Sequence, residues 1–202
     1  MIIQKCVKGI AGGGAAGITR EQAFGLVRHS TGIFANRWRN FGGFKPDEIA
    51  KELTDHQLDR HLHDYTRFGP ISPFISLASG SVKRSALVRR NQIYSAIDTA
   101  LLFATDNWTR PGALFFCWVL TGVNLAVENH IVAESVRDLL IYRRWSRYQL
   151  EGEVTAKVWI PANQIERVEW WDGSSSTVNP QVSFPDVHYV DPAQLGNIRE
   201  LF

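Results

Sequence analysis

The chain has 202 residues, 45% of them apolar and 21% charged, which suffices to bury one well-packed domain and is short for two. Its net charge of +2 does not by itself demand nucleic acid, and its two cysteines, Cys6 and Cys117, provide neither a disulfide framework nor a cysteine-rich metal site. No stretch approaches the ~20 apolar residues of a membrane span and the N-terminus lacks a signal-peptide core, so we expect a cytoplasmic protein, acting in the producing cell or in a target cell.

Residues 1–20 read as a flexible or peripheral segment. They hold Gly12-Gly13-Gly14-Ala15-Ala16-Gly17, formally a G-x-G-x-x-G fingerprint, but Gln4–Lys8 is not a clear strand and no acid is suitably placed downstream. Phe24-Gly25-Leu26-Val27-Arg28-His29-Ser30-Thr31 reads as a short apolar, strand-like run that delivers Arg28, whose guanidinium fork suits phosphate or carboxylate; the plain alternative is a surface arginine after an edge strand. Trp38, Phe41 and Phe44 around Gly42-Gly43 suggest a loop packed by its own aromatics. Pro46-Asp47-Glu48 starts a helix with Ile49 and Leu53 on one face, and Thr54-x-x-Gln57 is a capping box opening another that carries Leu58 and Leu62. The second helix also holds His56, His61 and His63. His61 and His63 diverge on a helix, so the three are read as a polar face and not as metal ligands.

The turn Gly69–Pro73 feeds a strand over Phe74–Ser79, buried on both sides, in which the Ser76 hydroxyl needs a partner. Ile93, Ile97, Leu101 and Ala104 recur at helical spacing and predict a helix over 82–105, with Arg89 and Arg90 outward. Leu114–Leu120 is an aromatic central strand, and 131–141 reads as a short helix or loop-embedded turn. In 142–148, Arg143, Arg144 and Arg147 interleave with Tyr142, Trp145 and Tyr148, either as a surface for flat or anionic partners or as a solvated loop. Glu151 and Glu153 follow, two apart on a strand running to Ile160 and therefore on one face. Like charges so close raise one pKa unless a ligand relieves them, which suggests a site; a solvated edge strand is the alternative. Pro161–Gln164 turns into a strand over Ile165–Trp171, and 172–202 reads as a surface-wrapping tail after a core spanning 24–171.

The order of these parts, an early arginine, a serine strand, a long helix, an aromatic strand and then Glu151-Gly152-Glu153 with Ile160-Pro161 following, resembles the cholera-toxin-like mono-ADP-ribosyltransferases. Ser76-Leu77-Ala78 keeps the first serine of the family's Ser-Thr-Ser pattern and lacks the other two. The resemblance implies an α+β fold, a split β-sandwich with helices packed around a central cleft. It also implies that NAD is cleaved at the nicotinamide–ribose bond and ADP-ribose passed to an acceptor, with no metal. By the same resemblance Glu153 stabilises the oxocarbenium-like ribose, Ser76 fixes Glu153, Arg28 holds the pyrophosphate or its ribose, and Glu151 orients the acceptor. His29, Ser30, Phe74 and Ser79 would complete the cofactor site. The 142–148 loop would face the acceptor, leaning to protein arginine with a nucleic acid base (RNA or DNA) close behind, since the arginines repel a guanidinium while Trp145 and Tyr148 suit stacking. A toxin or effector of this kind implies an antitoxin or immunity partner. Two further readings stand beside it: a non-catalytic RNA-binding module on the same fold, and an oxidoreductase built on the N-terminal glycines.

Overall fold

The computed structural model describes residues 2–14, 17–40, 46–79, 96–121, 132–135, 153–173 and 179–195. The fold is α+β. Among the described residues, seven strands form one sheet in the order β1 (Ile2–Ala11), β3 (Phe74–Ser79), β6 (Glu153–Lys157), β5 (Val132–Ser135), β4 (Gly112–Thr121), β8 (Ile165–Trp171), β9 (Val182–Pro185), and β1 pairs with β4 as well. That extra pairing bends the sheet back on itself. One layer is β1-β4-β8-β9, the other β3-β6-β5, and they join where Cys6 and Val7 meet Ser79 and Ala78 and where Leu120 and Thr121 meet Val132 and Ala133. A separate two-stranded ribbon pairs β2 (Ile33–Phe34) with β7 (Trp159–Ile160).

Strand alternation decides what fills the space between the layers. Cys6, Phe115, Cys117 and Val119 from one layer meet Ile75, Leu77, Val154 and Ala156 from the other, and α1 (Arg20–Arg28) closes this core with Phe24 and Val27. The opposite face is covered by α6 (Ala96–Thr105), whose Ala96, Ala100, Leu101 and Ala104 pack on Val7, Ala78, Leu114 and Phe116. Small residues let this helix come very close. A Cβ at Gly9 would collide with the carbonyl oxygen of Ala100.

Three expectations are corrected. The N-terminal segment is not peripheral: all ten residues of β1 pair with β4, burying Ile3, Cys6 and Val7. Its polar Gln4, Lys5 and Lys8 hide the strand pattern. Cys6 thus stands directly opposite Cys117, with sulfurs 3.7 Å apart, and burial pushes its thiol pKa well up. Residues 24–28 are helix and not strand, because Thr19 and Gln22 form a reciprocal capping box that starts α1 upstream of them. Val132–Ser135 is a strand and not a helix or turn. The tail adds β9 to the sheet and is pinned where Trp118 Nε1 donates to the Val190 carbonyl at 3.0 Å and the Val190 amide donates to Asn163 at 2.8 Å. Of the long helix expected over 82–105, residues 96–105 are helical and the rest lies outside the described residues.

The close approach of α6 to β1 has a direct test. Gly9→Ala is expected to lower stability by about 1–3 kcal/mol, as overpacking does. Urea unfolding measures this, and an unchanged midpoint contradicts the contact.

Candidate active site

Beyond Val7 the two joined strands part. Lys8–Ala11 continue to pair with β4, and Phe74–Leu77 with β6, while no ladder links the two segments. A cleft of about 1030 Å³ fills the fork. This is ample for a dinucleotide-sized ligand. Its walls are Lys8, Gly9 and Ile10 of β1, Phe74 and Ser76 of β3, Glu21 of α1 and His29 just after it, and Thr99 and Phe103 of α6. Asn36 and Arg39 from α2 (Asn36–Asn40) add a further side, together with His61 from α4 (Asp55–His63) and Tyr65 from α5 (Tyr65–Phe68).

Helix α4 begins where its capping signal predicts, with Thr54 Oγ1 accepting the Gln57 amide. Leu58, His61 and Leu62 then fall on its buried face, three and four residues apart, and the leucines pack on Phe74. His61 is therefore not part of a polar helix face. Its Nδ1 lies 2.7 Å from Ser72 Oγ and its Nε2 2.8 Å from Ser76 Oγ, with Tyr65 edge-on at 5.3 Å between centroids. Burial, and secondarily the positive charge of Lys8, push its pKa down to about 3. The ring is neutral at physiological pH.

The structure brings some of the expected site residues together and separates others. Ser76, Phe74 and His29 line the cleft. Ser76 meets Thr155 across the β3–β6 ladder, and Glu153 is in register with Ala78, one pleat repeat along. Ser79 is buried but does not line the cleft. Ser30 takes a left-handed conformation just after α1, outside the lining. Arg28 is also outside it. On the helix Phe24 and Arg28 share one side, so the guanidinium sits 5.0 Å over the Phe184 ring, itself stacked on Phe24, while Glu21, Gly25 and His29 turn to the cleft. The expectation of an arginine delivered to the cleft by a strand is thus not met. Glu151 and the loop with Arg143, Arg144, Trp145, Arg147 and Tyr148 lie outside the described residues.

Sequence reasoning passed over Lys8, His61, Tyr65, Thr99 and Phe103. Only His61 carried a signal, its spacing from Leu58 and Leu62. Lys8 and Arg39 bring positive charge to the cleft against Glu21. Tyr65 and Phe103 are 42% and 56% exposed, and Thr99 Oγ1 is buried with no hydrogen-bond partner among the described residues. Part-exposed rings lining the same cleft as a buried hydroxyl suit a ligand with a flat group and polar edges.

No protein-family model and no curated protein sequence matches the chain. Solved structures do. A double-cysteine variant of heat-labile enterotoxin aligns with a TM-score of 0.50 at 15% identity, covering 92% of this chain and 63% of that one. The fold is that of the heat-labile enterotoxin. An enterotoxin with an arginine-to-lysine change in its A subunit aligns at 15% identity over 92% of this chain and 76% of that one, TM-score 0.48. An E. coli enterotoxin with a buried valine changed to lysine aligns at 14% over 92% and 77%, TM-score 0.45. This chain spans less than two thirds of the double-cysteine protein, and at such identities the likeness concerns fold alone.

The buried imidazole makes stability depend on pH. A His pKa lowered from 6.5 to about 3 on folding means the unfolded chain binds the proton more tightly between those values. Its contribution is therefore fully present above pH 6.5 and is lost as pH falls, by up to about 1.4 kcal/mol per pH unit. The stability difference between wild type and His61→Gln, followed by urea unfolding from about pH 8 to about pH 4, is expected to shift against the wild type on acidification. A difference constant with pH contradicts the assignment.

Proposed function

We propose that the chain is an NAD-dependent mono-ADP-ribosyltransferase. The observation that supports it most is the forked sheet, in which a hydrogen-bonded Ser76–His61 pair and Lys8 line one cleft and Glu153 stands in register beside the serine strand. The cleft's cations, exposed rings and unpartnered hydroxyl suit the phosphates, flat bases and ribose edges of NAD.

In this reading the nicotinamide–ribose bond breaks, its electron pair neutralises the pyridinium nitrogen, and positive charge develops on the ribose. A carboxylate at that carbon lowers the barrier, and position 153, sharing the pleat repeat of Ser76 and Thr155, is suited to supply it. Ser76 donates to that carboxylate and holds its rotamer. The pyrophosphate falls to Lys8, with Arg39 at the rim, and not to Arg28, whose guanidinium is engaged over Phe184. An ammonium serves as a point charge where a fork is not needed. Glu151 orients or deprotonates the acceptor.

For the acceptor we favour protein arginine, with a nucleic acid base held close behind on the chemistry of Arg143, Arg144, Trp145, Arg147 and Tyr148. The two separate by salt, since modification of nucleic acid through phosphate contacts weakens steeply as salt rises. Nuclease and protease digestion of the labelled product from a lysate given labelled NAD identifies the acceptor directly.

Nicotinamide release tests the assignment residue by residue. Glu153→Gln is expected to abolish both hydrolysis and transfer, and Glu151→Ala to lose transfer while retaining hydrolysis. Lys8→Ala is expected to raise the KM for NAD about tenfold, the value of one charge-assisted contact, with Arg28→Ala within about twofold of wild type. Wild-type activity in Glu153→Gln removes the mechanism. A large loss in Arg28→Ala with none in Lys8→Ala restores the arginine to the site.

A further inference from the structure

His61 joins two serines, and which ring nitrogen carries its proton determines what Ser76 can do. Ser72 settles that choice. Its Oγ accepts the Phe74 amide at 3.1 Å, a local turn that places the hydroxyl under the imidazole, and the residue is 1% exposed. With one lone pair occupied by an N–H, the Ser72 proton needs an acceptor. Among the described residues that acceptor is His61 Nδ1, 2.7 Å away. Were Nδ1 protonated instead, two donors would converge on Ser72 Oγ and its own proton would be buried without a partner, which is unfavourable.

We infer that Ser72 is a positioning residue that holds His61 in the Nε2–H tautomer, so that His61 donates to Ser76 and leaves the Ser76 proton for an acceptor in the cleft. In the other tautomer Nε2 would consume that proton, and Ser76 would offer only lone pairs. Ser76 then could not donate to a carboxylate. The direction of every bond follows from the buried end: Ser72 O–H to Nδ1, Nε2–H to Ser76 Oγ, Ser76 O–H outward. A helix face, a turn and a strand combine to set the polarity of one hydroxyl. The tautomer stands on the bonds just described; its importance for catalysis rests on the proposed transferase reading.

Nitrogen-15 NMR of the full chain with labelled histidine reads the tautomer directly. The His61 signals are identified by their loss in His61→Gln. The expected result is a pyridine-type Nδ1 and a protonated Nε2; a protonated Nδ1 in the wild type overturns the inference, whatever the variants do. Ser72→Ala is expected to admit the Nδ1–H form and Ser72→Thr to restore the wild-type pattern, and an unaltered tautomer in a folded Ser72→Ala also overturns it. In nicotinamide release, Ser72→Ala is expected to lower kcat about tenfold, one hydrogen bond's worth, with KM within about twofold, and Ser72→Thr to recover it. A wild-type chain that shows the expected tautomer but releases no nicotinamide leaves the Ser72 inference intact and removes the transferase reading.

Discussion

A strand has two edges, and β1 commits one of them entirely. Its ten residues pair with β4 from end to end, while its other edge meets β3 only at Cys6 and Val7. Past that point β1 follows the β4 layer and β3 follows β6, so the two strands must diverge. The cleft is the consequence. Its walls include the strand edges at Lys8–Ile10 and Phe74–Leu77, which no longer pair with each other. The apolar material that would fill such a gap elsewhere is spent on either side of it, in the core between the layers and beneath α6.

The polar groups in the fork are held from behind. His61 is a buried imidazole kept neutral by its surroundings, and a buried polar ring is tolerated only when both nitrogens are partnered. The turn at Gly69–Ile71 and the local hydrogen bond from the Phe74 amide to Ser72 Oγ supply one partner, and the strand supplies the other. Satisfying the ring therefore also fixes the serine. Asn36 ties the same turn to α2 by donating to the Gly69 carbonyl at 2.8 Å, and Arg37 pairs with Glu52 at 3.1 Å across the next helix, α3 (Pro46–Glu52). The site is carried on packed elements on this side, which suits chemistry that depends on placing a few atoms.

What the sequence made legible follows from how local each signal is. Pro46 and Thr54 announce their helices because caps are written in adjacent residues, and β3, β4, β6 and β8 were readable from β-branched and aromatic runs. The same cap logic at Thr19 and Gln22 was there to be read. The apolar residues from Phe24 to Val27 fit a strand as well as a helix, and the choice decides where Arg28 points, since neighbours on a strand and on a helix face different ways. β1 was hidden for another reason: a strand with Lys5 and Lys8 and a cleft along one edge shows no clean alternation. Lys8 as a cleft residue follows from the fork, and the fork arises from pairings more than 60 positions apart. His61 lay between these cases, on a stripe with two leucines that mark a buried face.

The claim on which the account rests is that the fork between β1 and β3 is where a dinucleotide binds. The most direct measurement is a crystal structure of the chain with a non-cleavable NAD analogue. The account predicts ligand density between Lys8 and Ser76, with a ring against Tyr65 or Phe103. Density elsewhere, for example on the Gly12–Gly14 turn with the fork left to water, would contradict it.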